Sequence, residues 1–186
     1  MGSSETVPGT QRINAFLLRC SETLASLADD PVAVEAASRF AQALDRSTSK
    51  TYEPSWLPAL DSIDLVDPSP LAQDFAALAP ALPWMPTVRA SDDGADFALA
   101  PLNSTLDLGE LTAGIMYVRP GRQYPLHQHP PQELYLTISG EARWRFGGHE
   151  DFRPIGPLSI LYNHPNDRHS AIAGSTPLVA LYLLWS

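Results

Sequence analysis

The sequence is poor in the residues that several common chemistries need. Among its 186 residues the only cysteine is Cys20 and the only lysine is Lys50. One cysteine cannot form an internal disulfide, and because Cys20 falls within an apolar helical pattern we interpret it as a small buried side chain rather than a nucleophile. Lys50 stands in a polar, Ser/Thr-rich stretch, so a mechanism through a lysine Schiff base is disfavoured.

Basic charge and long apolar runs are also scarce. Twelve Lys and Arg stand against 21 Asp and Glu, which gives a net charge of -9. An acidic protein is not attracted to phosphate backbones, so we expect no nucleic-acid partner. No apolar run reaches the ~18 residues of a membrane span, and the start of the sequence lacks the pattern of a secretion signal. We therefore expect a cytoplasmic protein that does not bind membranes.

The first part of the sequence has the pattern of helices. In a first helix the apolar residues recur at steps of three and four, at Ile13, Phe16, Leu17, Cys20, Leu24 and Leu27. Asp30 can cap a second helix that starts at Pro31. Its predicted apolar face consists of Val34, Ala37, Phe40, Ala41 and Leu44. We expect these helices to form a hairpin on the outside of a β core, with a third short helix at 70–78.

From Phe97 onward the sequence consists of short apolar runs separated by turn residues. The predicted strands are 97–102, 106–118, 133–138, 142–146, 158–162, 169–172 and 178–185. Short strands with turns at this spacing favour a small antiparallel barrel or jelly roll. The sequence thus predicts a helical N-terminal extension, residues 1–85, that packs on a β barrel, residues 86–186.

The barrel half contains a candidate metal site in the pattern G-x5-H-x-H-x3-E-x6-G, over residues 121–140. Side chains two apart in a strand point to the same face, so His127 and His129 can converge on one point. Glu133 has the same parity, and the two prolines before it predict a bend between the histidine pair and the carboxylate. Alternating histidines are often solvated strand residues, but imidazoles together with a carboxylate suit a divalent transition metal.

This pattern resembles the first metal motif of the cupin superfamily. The segment 156–169 resembles the second motif, which supplies one more histidine, here His169, although His164 and Asn166 replace its usual proline and glycine. The resemblance implies a mainly β, double-stranded β-helix (jelly-roll) barrel. It also implies one divalent transition metal (iron, zinc or manganese) bound by His129, Glu133 and His169, with His127 as a further ligand.

Two tyrosines accompany the predicted ligands. Tyr135 follows Glu133 by two residues, so both side chains point inward, and Tyr124 precedes His127 by three. A divalent cation lowers the pKa of a neighbouring tyrosine from about 10, and the phenolate can then act as a general base. The alternative is that Tyr135 is a core aromatic residue with a hydrogen-bonded hydroxyl.

A narrower resemblance rests on Tyr124-x2-His127-x-His129-x3-Glu133-x-Tyr135, together with the helical hairpin, Leu82-Pro83-Trp84 and Trp185. These features are similar to those of the bacterial cupin-type dimethylsulfoniopropionate (DMSP) lyases. The resemblance implies a metal-dependent β-elimination that yields acrylate and dimethyl sulfide. It implies Tyr135 as general base and metal neighbour, Tyr124 and His127 as catalytic pocket residues, and Trp185 as a pocket tryptophan.

Aromatic faces stabilise a sulfonium cation, and the candidates for this contact are Tyr124, Phe146, Tyr162 and Trp185. His164 either lines the mouth of the pocket or caps a loop. The expected partner is a small molecule, DMSP or a related sulfonium carboxylate, bound by a monomer or a homodimer. Two alternatives remain: an iron-dependent cupin dioxygenase, which would need Fe(II) and consume oxygen, and a non-catalytic cupin that binds a small molecule.

Overall fold

A computed structural model describes residues 8–62, 69–86 and 96–186. Its α-helices are α1 (Pro8–Leu27), α2 (Pro31–Asp45) and α3 (Pro70–Leu78). As predicted, the Asp30 carboxylate caps α2, where it accepts hydrogen bonds from the backbone N–H groups of Val32 and Ala33. None of the described helices combines the length and the apolarity that crossing a membrane requires.

The strands belong to three antiparallel sheets. They are β1 (Thr48–Ser49), β2 (Phe97–Pro101), β3 (Leu106–Asp107), β4 (Thr112–Val118), β5 (Gln123–His127), β6 (Gln132–Ser139), β7 (Ala142–Arg145), β8 (Arg153–Ile155), β9 (Ile160–Asn163), β10 (His169–Ala173) and β11 (Leu178–Trp185). A five-stranded sheet has the order β2-β4-β11-β6-β9, and a four-stranded sheet has the order β5-β10-β7-β8. The short strands β1 and β3 pair separately.

The five-stranded and four-stranded sheets enclose a common apolar interior. One buried cluster contains Phe97, Met116 and Tyr135 from the five-stranded sheet and Trp144 and Ala171 from the four-stranded sheet. Two antiparallel sheets that face each other in this way form a jelly-roll barrel. The predicted mainly β barrel is therefore confirmed.

The three helices cover the outer face of the five-stranded sheet. Phe16, Phe40 and Phe75, one from each helix, belong to the same buried cluster as Ile115 of β4 and Leu181 of β11. The five-stranded sheet is thus buried on both faces, and the predicted helical extension on the outside of the barrel is confirmed. The division between residues 85 and 86 stays a prediction.

The predicted apolar face of α2 was partly wrong. Val34 is 53% exposed and Ala41 is also exposed, whereas Ala33 and Ala36 are buried beside Ala37 and Phe40. Alanines occur on both sides of this helix, so their positions in the sequence do not distinguish the buried face from the solvated one.

The strand predictions also needed two changes. The run 106–118 is divided into β3 and β4 by a turn at Gly109, which has a positive φ of 63° and whose N–H bonds to the Asp107 side chain. The strands β1, β5 and β8 were not predicted: β1 has only two residues, and β5 and β8 each contain a proline that interrupts the strand pattern.

The two glycines that bound the predicted metal motif differ in their surroundings. Gly121 and Gly140 have φ angles of +69° and +87°, a region that favours glycine. A Cβ atom at Gly140 would lie 2.1 Å from the carbonyl oxygen of Pro177, whereas one at Gly121 would have no atom within 4 Å.

We expect Gly140→Ala to destabilise the fold much more than Gly121→Ala. Both variants strain a left-handed residue, at a cost of about 1 kcal/mol, but only Gly140→Ala also drives a methyl group into a backbone carbonyl, which adds at least about 2 kcal/mol. Guanidinium unfolding of both variants measures the difference. Equal losses of stability would show that the close approach at Gly140 is not rigid.

Candidate metal centre

The four predicted metal ligands come from both sheets of the barrel. His127 is the last residue of β5 and His169 is the first residue of β10, and the two are cross-strand partners in the four-stranded sheet. Glu133 is the second residue of β6, in the five-stranded sheet. The chain passes from one sheet to the other at residues 128–131, so the predicted bend is present, and His129 lies within it.

The structure brings these side chains together. Ligand atoms of His127, His129 and His169 lie within 4.8 Å of one another. Glu133 approaches two of the three: its Oε2 atom is 2.9 Å from Nε2 of His169 and 3.3 Å from Nε2 of His129. Glu133 and His169 are buried, while His127 and His129 are partly exposed at the cavity.

Backbone carbonyls fix the orientation of all three imidazoles. The Nδ1 atoms of His127, His129 and His169 lie 2.8, 2.9 and 2.8 Å from the carbonyl oxygens of Pro125, Pro131 and Asp167. A carbonyl oxygen can only accept, so in each ring Nδ1 carries the proton and donates it. In the neutral imidazoles the Nε2 atoms therefore present lone pairs, which is the arrangement that metal-binding histidines have.

The donor set fits a metal ion. Nε2 of His169 is buried and has no hydrogen-bond partner, although the Glu133 oxygen is 2.9 Å away. A lone pair and a carboxylate oxygen repel each other at this distance unless a proton or a cation lies between them. Three imidazole nitrogens and a carboxylate are ligands that divalent transition metals prefer. His127, His129, Glu133 and His169 are thus the residues that would hold the ion.

The carboxylate of Glu133 is ionised at neutral pH. Burial by itself raises the pKa of Glu133. When a proton rather than a metal lies on the Nε2 atoms that face the carboxylate, hydrogen bonds and charge from His129 and His169 outweigh burial and hold this pKa at about 2. The site therefore contains a buried negative charge that a cation can neutralise.

Both predicted tyrosines lie beside the ligands. The ring of Tyr135 packs 4.9 Å from Trp144 and 6.2 Å from His169, and the ring of Tyr124 stands edge-on to His127 at 4.9 Å. Burial is the main reason that the pKa of Tyr135 lies well above 10, and the charge of Glu133 raises it further. Without a nearby cation, Tyr135 is therefore a neutral phenol at neutral pH.

Three of the four ligands, His127, His129 and Glu133, and both tyrosines line one cavity of about 260 Å³, and His169 is buried behind them. Its lining residues are Leu99, Thr112, Met116, Tyr124, His127, His129, Pro131, Glu133, Tyr135, Tyr182 and Leu184. His127, His129 and Glu133 form a polar end, and Leu99, Met116 and Leu184 form an apolar wall. A small, partly open cavity with a polar end and an apolar wall suits a small-molecule ligand.

Two of the predicted pocket residues lie elsewhere. Trp185 and Tyr162 belong to the core on the outer face of the five-stranded sheet, under the helices, and their rings are 6.3 Å apart. Placing them in the substrate pocket was wrong. The strand that carries Trp185, Leu178–Trp185, is apolar on both faces, so the sequence shows no alternation that would tell the inner face from the outer one.

Two further predicted residues do not line the cavity. Phe146 packs against the barrel interior, with its ring 6.5 Å from that of His149. The side chain of His164 is 68% exposed, and both its backbone N–H and its Nδ1 contact the carboxylate of Asp167. Of the two interpretations of His164, this placement favours the loop cap.

Sequence reasoning missed several residues at the site. Tyr182 and Leu184 face the cavity from β11, as cross-strand partners of Tyr135 and Glu133. Spacing within β11 gives the parity of Tyr182, but the register that sets it beside Tyr135 depends on long-range pairing. The carbonyls that orient the imidazoles carry no sequence signal at all, because every residue has one.

Comparison with known proteins identifies the family. The sequence profile described as dimethylsulfoniopropionate lyase matches residues 33–180. The chain belongs to the DMSP lyase family. The predicted resemblance is thereby confirmed over most of the sequence.

Individual members of the DMSP lyase family share a modest fraction of identical residues with this chain. The chain is 30% identical to dimethylsulfoniopropionate lyase DddQ of Ruegeria pomeroyi over 118 residues, which are 60% of this chain and only 58% of that relative. The crystal structure of DddQ from Ruegeria pomeroyi superposes with a TM-score of 0.76 at 23% identity and covers 97% of this chain and 93% of that one. A structure from work on the DMSP lyases RdDddP and RnDddQII gives 0.73 at 20% identity, with 95% and 94% covered. These structures share the fold.

We expect His169→Ala to abolish metal retention and His164→Ala to preserve it. His169 contributes a buried, oriented Nε2 atom, and its loss should weaken metal binding by at least about 100-fold. His164, exposed and bound to Asp167, is the matched histidine control. Metal content after equilibrium dialysis measures the effect, and equal content in the two variants would contradict the proposed ligand set.

The acid stability of the metal-free protein should depend on Glu133. Its pKa falls from 4.5 to about 2 on folding, so its contribution is fully present above about pH 4.5 and is lost as the pH falls towards 2. In Glu133→Gln this loss, about 3 kcal/mol, should be missing. Urea unfolding across this range tests it, with the exposed Glu110→Gln as control. The same acid sensitivity in wild type and Glu133→Gln would refute the assignment.

Proposed function

We propose that this chain is a metal-dependent DMSP lyase, which eliminates dimethyl sulfide from DMSP and leaves acrylate. The observation that carries the proposal is the meeting of three oriented imidazoles and Glu133 beside one small cavity, which Tyr135 also lines. Membership of the DMSP lyase family supports the substrate. The predictions of a cytoplasmic location and of a monomer or homodimer accompany this proposal.

His127, His129, Glu133 and His169 would hold the metal at the polar end of the cavity. Iron, zinc and manganese all accept this set of donors. When bound, a divalent ion supplies a Lewis acid for a substrate carboxylate and positive charge that lowers the pKa of Tyr135, against the effects of burial and Glu133.

The reaction needs one base, and Tyr135 is the candidate. As a phenolate it accepts the proton from the carbon next to the substrate carboxylate. The electron pair of that C–H bond forms the carbon–carbon double bond of acrylate, and the C–S bond breaks with its electrons on sulfur. Dimethyl sulfide leaves as a neutral molecule, so no acid is required.

We assign Tyr124 and His127 to substrate positioning. Tyr124 lines the cavity, and its ring is held between Phe97, at 5.1 Å, and His127, at 4.9 Å. Its backbone carbonyl accepts a hydrogen bond of 2.7 Å from the Ser170 hydroxyl, which fixes β5 against β10. A rigid wall at this point keeps the proton to be removed within reach of Tyr135.

We expect zinc-, iron- or manganese-loaded protein to release dimethyl sulfide from DMSP without oxygen, and Tyr135→Phe to be at least about 100-fold slower. The substitution removes only the hydroxyl that accepts the proton. Headspace dimethyl sulfide, measured anaerobically, gives the rate, and metal content shows whether the site is still loaded.

Tyr162→Phe is the matched control for this experiment. It makes the same chemical change on the outer face of the sheet, where the Tyr162 hydroxyl donates to Gln132, so its rate should equal that of wild type. If Tyr135→Phe keeps the wild-type rate, Tyr135 is not the base. If the wild-type protein releases no dimethyl sulfide with any of the three metals, the lyase assignment is wrong. Oxygen uptake then becomes the next measurement.

A further inference from the structure

The wall that β2, β4 and β11 contribute to the cavity contains one aromatic residue. Its lining residues are Leu99, Thr112, Met116, Tyr182 and Leu184. No side chain of this wall carries a charge, so it cannot pair with a charged ligand as an ion pair. A positive group that lies against it can be stabilised only through apolar contact and through the ring of Tyr182.

Tyr182 lies across the neighbouring strand. Its cross-strand partner on β4 is Gly114, and a Cβ atom at Gly114 would be 2.1 Å from the Tyr182 hydroxyl oxygen and 2.3 Å from Cζ. Strand side chains normally stand roughly perpendicular to the sheet. A tyrosine whose tip occupies the place of a neighbour's Cβ must instead lie along the sheet, which only glycine at position 114 allows.

The orientation of Tyr182 determines which part of its ring a ligand in the cavity can contact. The tip of the Tyr182 ring lies over Gly114 of β4, where no side chain covers it, and the residue lines the cavity, so a ligand there can contact aromatic surface. The face of an aromatic ring carries negative charge density and attracts cations, quaternary onium groups among them. Leu99, Met116 and Leu184 around it can receive the methyl groups of such a cation.

The position of Tyr182 also matches the geometry of the proposed reaction. Tyr182 is the cross-strand partner of Tyr135, and Leu184, two residues on, is the partner of Glu133. A ligand whose carboxylate lies at the polar end and whose cationic group lies on Tyr182 brings its carbon chain beside Tyr135, the proposed base.

We propose that Tyr182, which Gly114 leaves room for, is the residue that selects onium carboxylates over carboxylates of the same shape that lack the cationic group. The identity of the onium as a sulfonium rests on the proposed function. The cation preference itself rests on Tyr182, Gly114 and the uncharged wall around them.

The test measures binding of two ligands that the protein does not cleave. One is β-alanine betaine, a trimethylammonium carboxylate, and the other is its isostere without the cation, in which an uncharged tert-butyl group replaces the trimethylammonium group. Calorimetry of zinc-loaded protein gives both affinities. We expect wild type and Tyr182→Phe, which keeps the ring, to prefer the cation, and Tyr182→Leu to lose about five- to thirty-fold of that preference.

Tyr182→Met serves as the second variant if Tyr182→Leu does not fold, because methionine fills the same length of cavity flexibly and without a ring. The proposal is overturned if wild type shows no preference for the cation, or if the variants without the ring keep it. Lyase activity is scored separately. A ring-dependent preference for the cation without dimethyl sulfide release would support this inference and contradict the proposed function. Dimethyl sulfide release without a ring-dependent preference would support the proposed function and contradict this inference.

Discussion

The site depends on three hydrogen bonds between imidazole Nδ1–H groups and backbone carbonyls, those of Pro125, Pro131 and Asp167. Each bond fixes one histidine tautomer, and together they turn three Nε2 lone pairs towards the buried carboxylate of Glu133. Acceptors and an anion concentrated in this way are unfavourable in a low-dielectric interior without a cation. The folded barrel therefore provides the energy that preorganises a metal site.

The two sheets have to be held in register for this arrangement to exist. The ligands lie on β5, β6, β10 and the bend between β5 and β6, so a shift of either sheet separates Glu133 from the histidines. The helices contribute by covering the outer face of the five-stranded sheet, which allows that sheet to be apolar on both faces. Stability and site geometry thus depend on the same double-sided core.

The cavity combines two kinds of recognition. Its polar end has imidazoles and a carboxylate, which suit a cation and, through it, an anionic group. Its apolar wall carries the ring of Tyr182 and no charged side chain. Between them lies Tyr135, whose pKa responds to the balance of charge around Glu133. A molecule with a carboxylate and an onium group two carbons apart matches this order of surroundings.

The sequence by itself determined the ligand types, their spacing, the bend before Glu133, the cap at Asp30 and the mainly β barrel with outer helices. These features depend on local geometry, which strand parity, proline and glycine express directly in the sequence. Tertiary structure alone decided which face of β11 meets the site, and so that Tyr182 rather than Trp185 lines the cavity. Because that strand is buried on both sides, hydrophobicity does not alternate along it, and only pairing with β4 and β6 fixes its inner face.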